Sequence, residues 1–354
     1  MNYQQCLIKL SNTASDVVNH IPTKLKPIPD INESGILDPR VVEQRLKPKK
    51  DLEKIDPTMF EDIEIGRIRQ EMGFDNLDIT MEEIRVEDQM MNGVKVRLYR
   101  PAHVEDLRPA FIFIHGGGFY GGNLKVVENP CKAIAEKAKV IVISVDYTLA
   151  PEGPYPQGLN DCDSVVEYIH EHAVDLGIDV TKISISGDSA GGNLAAGCVL
   201  RDIQKGRRAI QYMALLYPVV LLSEEKVADY EWSLEQYDVK GENELVVRVI
   251  HSIKNCMPLI NRLYVQDNTP LEHTELSPLL VEDLSQFPKT LVVTAEFDFL
   301  RIQGEAYAKR LGEAGVEVRL VRYQGMDHAF VDKCGVYPQA EDCLNEIVQD
   351  LKTL

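Results

Sequence analysis

From residue 84 to residue 322, short β-branched runs alternate with stretches of helical periodicity, and few architectures accept that order. The runs lie at 84–89 and 94–99, joined by the turn-forming Asn92-Gly93, then at 110–114, 140–145, 182–186, 212–216, 290–294 and 316–322. Helical patterns over 130–138, 158–172, 191–201 and 303–314 fall between most of them, the last closed by Gly315, a residue suited to a helix C-terminus. A strand that passes into a helix and returns to a strand implies parallel neighbours. The prediction is therefore an α/β fold, with a mostly parallel central sheet, helices on both faces, and an antiparallel hairpin at residues 84–99.

Two regions break the rhythm. In residues 1–80, Pro22, Pro27, Pro29, Pro39, Pro48 and Pro57 interrupt a charged stretch whose helical patterns are short, for example around 57–70. Its length fits a helical cap over a pocket better than a mobile tail. The second region, about 222–276, is too long for one crossover loop and carries Tyr230, Trp232, Tyr237 and a helix pattern at 242–254. The expected organisation is a cap segment at 1–80 and a catalytic domain at 81–354 with a cap insertion at about 222–276.

Bulk properties exclude several function classes. The chain of 354 residues carries 38 Lys and Arg against 56 Asp and Glu, a net charge of −18, which disfavours nucleic acid and anionic membrane surfaces as partners. Its apolar runs are far too short to span a bilayer, and its first residues do not read as a signal peptide. Seven scattered cysteines without a CxxC pair point to reduced thiols in the cytoplasm, not to disulfides or a zinc site. No metal or organic cofactor is implied, and a homodimer stays open.

Chemistry concentrates in two glycine-rich segments. Gly187-Asp188-Ser189-Ala190-Gly191 is a G-x-S-x-G sequence between a predicted strand and a predicted helix, the context a nucleophile elbow requires. A tight turn there would lift the Ser189 hydroxyl to the sheet's C-terminal edge and to the positive end of the helix. His115-Gly116-Gly117-Gly118-Phe119 follows the 110–114 strand, and its glycines leave backbone N–H groups free to converge on an oxyanion. Gly116, Gly117, Gly118 and Ala190 are the candidate donors. A phosphate loop would carry G-x-G-x-x-G or GK[ST], and neither is present.

A base and its orienting acid follow from chain order. In hydrolases built on a nucleophile elbow the order is Ser, then Asp or Glu, then His. His251, His273 and His328 come after Ser189, and His328 alone lies past the last strand, in a turn able to hang over the sheet edge. Asp298 and Glu296 follow the 290–294 strand; the shorter aspartate, further into its loop, is favoured. Asp146, Glu152 and Asp188 read as loop braces. Phe119, Tyr120, Tyr217 and Trp232 are candidate pocket walls, with core packing as the competing role for each.

Taken together, the HGGGF loop, the DYTLAPE and YPQGLND segments, the GDSAGG elbow, Ser277-Pro278-Leu279, the AEFDFLR stretch, Gly304–Ala308 and GMDHAF resemble the hormone-sensitive-lipase-like (GDXG) carboxylesterases and acetyl esterases. The resemblance runs from about Arg97 onward and fades over residues 1–80. It departs at Phe299, where proline is frequent, and at Ala329, where glycine is common. It implies an α/β-hydrolase fold, a Ser189–His328–Asp298 triad, oxyanion donors at the positions above, a cap from the N-terminal segment and the insertion, and short-chain carboxylic esters as small-molecule substrates. His328 must be neutral to act, so activity should rise with pH through about 6–7. Two rivals stay open: an amidase or deacetylase with the same triad, and a non-catalytic ligand-binding relative like the gibberellin receptors.

Overall fold

The structure is a computed structural model that describes residues 1–18, 20–47, 62–102, 106–223, 230–241 and 243–354. Among these, ten strands form one sheet. They are β1 (Ser15–Val18), β2 (Ile21–Lys26), β3 (Ile84–Met91), β4 (Val94–Pro101), β5 (Arg108–Ile114), β6 (Ile141–Asp146), β7 (Ile178–Asp188), β8 (Ile210–Leu216), β9 (Lys289–Ala295) and β10 (Val318–Tyr323). Their order is β1-β2-β10-β9-β8-β7-β5-β6-β4-β3. Every pairing from β2 to β6 is parallel, and the β3–β4 hairpin and β1 add antiparallel edges.

The helices are α1 (Tyr3–Ser11), α2 (Pro39–Leu46), α3 (Asp62–Glu71), α4 (Glu128–Ala138), α5 (Gln157–Glu171), α6 (Ala190–Gln204), α7 (Glu244–Lys254), α8 (Met257–Tyr264), α9 (Arg301–Glu313) and α10 (Pro338–Leu351). Side chains alternate across the sheet, and the two faces accordingly bury two apolar layers. In β5, Ile112 and Ile114 join the layer under α5, α6 and α9, while Phe111 and Phe113 join the layer under α4 and α10. Each such fully buried side chain contributes roughly 1.5–3 kcal/mol. The central strands are apolar on both faces, which is why they read as continuous runs in the sequence. Among the described residues no helix is long and apolar enough to cross a membrane.

The N-terminal region departs from the expected cap. β2 pairs in parallel with β10, Thr23 opposite Leu320, and β1 pairs with β2, so these two strands extend the sheet instead of covering it. Lys26, fully buried, fixes this edge: its ammonium lies 2.7 Å from both Asp342 and Glu346 of α10 and donates to the Leu10 carbonyl at 2.9 Å. Among the described residues, α2 reaches the loop after β10 at the sheet's C-terminal edge, through Arg45, and the segment after α3 lines the cavity there. The helix pattern around 57–70 corresponds to α3 over Asp62–Glu71, its first residues lying outside the described ones. The insertion supplies α7, as the pattern indicated, and also α8, which it did not.

Candidate active site

β7 runs into α6 through Ser189, whose backbone sits at φ 54°, ψ −118°. A non-glycine residue at positive φ is strained, and such strain persists only where surrounding structure enforces it. Here the enforcement is packing: a Cβ on Gly187 would strike the Gly191 carbonyl, and one on Gly191 would strike that of Ile114. Strand and helix therefore approach too closely for any residue but glycine, and Ser189 is lifted over the edge of β7.

His328 arrives from the loop after β10. Its Nε2 lies 2.9 Å from Ser189 Oγ and its Nδ1 lies 2.7 Å from Asp298 Oδ2. Asp298 is buried at the end of the loop after β9, and its second oxygen accepts the Leu300 N–H at 3.0 Å. The rival carboxylate, Glu296, instead accepts the Gly325 N–H at 2.7 Å, so it shapes the loop that carries His328. From the outer side Arg45 of α2 holds the same loop through Asp327 at 2.6 Å. Tyr217 packs its ring edge-on against the imidazole, centroids 5.0 Å apart. Burial disfavours the imidazolium, but Asp298, with help from Asp188 and Asp327, overrides this and raises the His328 pKa above the ordinary 6.5.

The glycine loop divides its work. The Gly116 N–H donates to Asp188 Oδ1 at 2.7 Å, so Gly116 is not available as a donor to substrate. The reason is the one expected of Asp188: its carboxylate anchors the loop to the elbow. Burial lifts that carboxyl to about 6, against the opposing pull of the Gly116 N–H. The N–H groups of Gly117, Gly118 and Ala190 make no hydrogen bond to another described group, and the glycines line the cavity in front of Ser189. Beneath the loop, His115 donates from Nδ1 to the Gly116 carbonyl at 2.9 Å, stacks on Tyr147 at 4.6 Å and is kept neutral by burial.

That cavity measures about 270 Å³. Its walls come from the segment after α3 (Met72, Phe74), from α7 and α8 (Ile253, Met257, Ile260) and from Tyr120 and Leu300. Of the four aromatic candidates only Tyr120 lines it. Phe119 is buried and stacks on Tyr264 at 3.8 Å, which seats α8 on the glycine loop. Tyr217 lies buried under His328, and Trp232 packs among Tyr237, His251 and Phe299. Sequence reasoning missed Arg69 of α3. Its guanidinium donates to the Tyr120 and Ala150 carbonyls at 2.6 and 2.7 Å and pairs with Glu152 at 2.6 Å, so Glu152 braces the loop through a residue far away in the chain. No local motif marks Arg69, which sits in an ordinary charged helix.

A fold with a serine at a strand–helix turn, a histidine and aspartate hydrogen-bonded in line with it, and a glycine loop defines a class of hydrolase. A family model described as alpha/beta hydrolase fold matches residues 111–332. Carboxylesterase NlhH of Mycobacterium tuberculosis is 32% identical over 282 residues, 77% of this chain and 83% of that protein. An arylesterase of Saccharolobus solfataricus is 31% identical, over 76% of this chain and 82% of its own. Among solved structures, a Pyrobaculum calidifontis esterase superposes with a TM-score of 0.73 at 29% identity, covering 90% of this chain and 98% of that one. The chain belongs to the α/β-hydrolase family, in its hormone-sensitive-lipase-like (GDXG) branch.

Proposed function

We propose that this carboxylic ester hydrolase cleaves short-chain carboxylic esters through an acyl-enzyme on Ser189. The observation that carries the reading is the continuous hydrogen-bonded line Ser189 Oγ–His328–Asp298 opening onto a cavity that also presents the unpaired N–H groups of Gly117 and Gly118. With Asp298 accepting the Nδ1 proton, Nε2 is the basic nitrogen and faces the serine hydroxyl. His328 takes that proton as Oγ attacks the ester carbonyl, and Gly117, Gly118 and Ala190 donate to the oxyanion. The alcohol departs with the proton from His328. Water, activated by the same imidazole, then releases the acid and regenerates Ser189.

Short esters suit the cavity, which lies at the small end of ligand pockets, about 300–1,000 Å³. The cap in this reading consists of α3 with residues 72–74 and of α7 and α8, a narrower unit than residues 1–80 with the insertion. A cytoplasmic setting fits seven cysteines without a disulfide. The test is hydrolysis of p-nitrophenyl acetate, butyrate, octanoate and laurate by wild type and Ser189→Ala. Fast turnover of the two short esters, abolished in the variant, is expected. Equal slow release by both proteins would leave a ligand-binding role in its place.

A further inference from the structure

The same cavity holds a carboxylate for which the acyl-enzyme chemistry has no use. Asp332 lies in the 3-10 turn Phe330–Lys333, four residues beyond His328, and lines the cavity within electrostatic reach of both His328 and Asp188. The other acids around the site are all engaged: Asp298 with His328 and the Leu300 N–H, Asp188 with the Gly116 N–H, Asp327 with Arg45. Among the described residues, the side-chain oxygens of Asp332 have no hydrogen-bond or ion-pair partner. Most of the surrounding wall is apolar, including Met72, Val219, Ile253, Met257 and Ile260.

Asp332 is half-buried, and a substrate that covers its unpaired carboxylate without offering a partner meets a desolvation cost. Burial together with the charge of Asp188 lifts the Asp332 carboxyl to about 7, against the opposing pull of Lys333 and His328. A substrate that brings a donor restores the compensation; a plain alkyl chain leaves the carboxylate bare. We propose that Asp332 is a specificity-determining residue that favours esters bearing a hydrogen-bond donor, hydroxyl or ammonium, on the portion that enters this cavity. The proposal rests on the esterase reading. A hydrogen bond to a charged group corresponds to a preference of about ten- to a hundredfold in kcat/KM.

The experiment compares matched pairs on both sides of the ester. On the acyl side the pair is p-nitrophenyl butyrate and p-nitrophenyl 3-hydroxybutyrate; on the alcohol side it is butyl acetate and 4-hydroxybutyl acetate. Wild type, Asp332→Asn and Asp332→Leu are measured, each with its melting temperature. The expected result is a hydroxyl preference on one side in wild type that collapses towards unity in Asp332→Leu, read as the ratio of kcat/KM within each pair. If Asp332→Leu does not fold, Asp332→Asn carries the comparison in weaker form: its amide oxygen still accepts a neutral hydrogen bond, so the preference should shrink without vanishing. A wild-type ratio near one on both sides overturns the proposal, as does a ratio indifferent to substitution. Equal loss on plain and hydroxylated esters by a folded variant also overturns it, because Asp332 would then serve the chemistry and not the choice of substrate. Failure of wild type to hydrolyse even the plain esters would count against the esterase reading itself, a separate result.

Discussion

Replacing Lys26 by methionine tests whether the first strands belong to the hydrolase sheet. The substitution keeps the length of the side chain and removes one ammonium from a site where Lys26, Asp342 and Glu346 are 0%, 2% and 5% exposed at the side chain. Glu346 would retain Lys24 and Arg319, both at 2.9 Å, whereas Asp342 would keep only the Tyr323 hydroxyl at 2.7 Å. Removing one partner of a buried pair costs about 3–5 kcal/mol. At about 2.1 cal/mol/K per residue, the 354 residues give an unfolding entropy near 0.74 kcal/mol/K, so the melting temperature should fall by about 4–7 °C. Differential scanning calorimetry measures this directly. Adding Asp342→Leu, which removes the stranded acid, should recover much of the loss. An unchanged melting temperature would refute the argument that Lys26 anchors the edge. Lost esterase activity without lost stability would instead return residues 15–26 to a role over the pocket.

Three further outcomes follow from the site. With His328 as the proposed neutral base and its carboxylate neighbours raising its pKa, kcat/KM for p-nitrophenyl butyrate should climb with pH through an inflection above 6.5; a midpoint below 6.5 would contradict that role or the Asp298 contact. Gly117→Ala places a Cβ against the Gly121 carbonyl at a φ of +122°, so the donor loop must move and kcat should drop by about 10²–10³, read by steady-state kinetics, while the fold survives. Arg69→Ala frees α3 from the Tyr120 and Ala150 carbonyls; KM should rise more than kcat falls, and a pure kcat loss would place Arg69 in the chemistry instead of the wall.

The sheet and the site were legible to different depths. Strands β5 to β10 announce themselves because their residues are apolar on both faces, and the elbow could be placed because strand, G-x-S-x-G and helix occur in one continuous stretch. Ser189, Asp298 and His328 follow from chain order, and the structure brings them within hydrogen-bond distance. β2 was hidden for a physical reason: Pro22 lies within it and its innermost residue is Lys26, a side chain that hydrophobic patterning assigns to solvent. Gly116 was assigned as a donor because spacing alone does not say which N–H a neighbouring carboxylate has already taken. Aromatic residues near the motifs suggested a pocket, yet packing claimed three of the four, and beside Tyr120 the walls are Phe74 and Met, Ile, Val and Leu residues that no motif marks. Long-range contacts such as Arg69 with Tyr120 have no local signature at all.

The pairing of β2 with β10 also orders events in time. During synthesis the stretch around residue 20 emerges about three hundred residues ahead of the strand it must lie beside, around residue 320. Closing so long a loop adds little to the equilibrium cost, since each doubling of length costs only about 0.6 kcal/mol. Its effect is kinetic, because distant partners slow folding and leave an unpaired strand edge open meanwhile. Until β10 is made, β2 keeps one edge without its parallel partner.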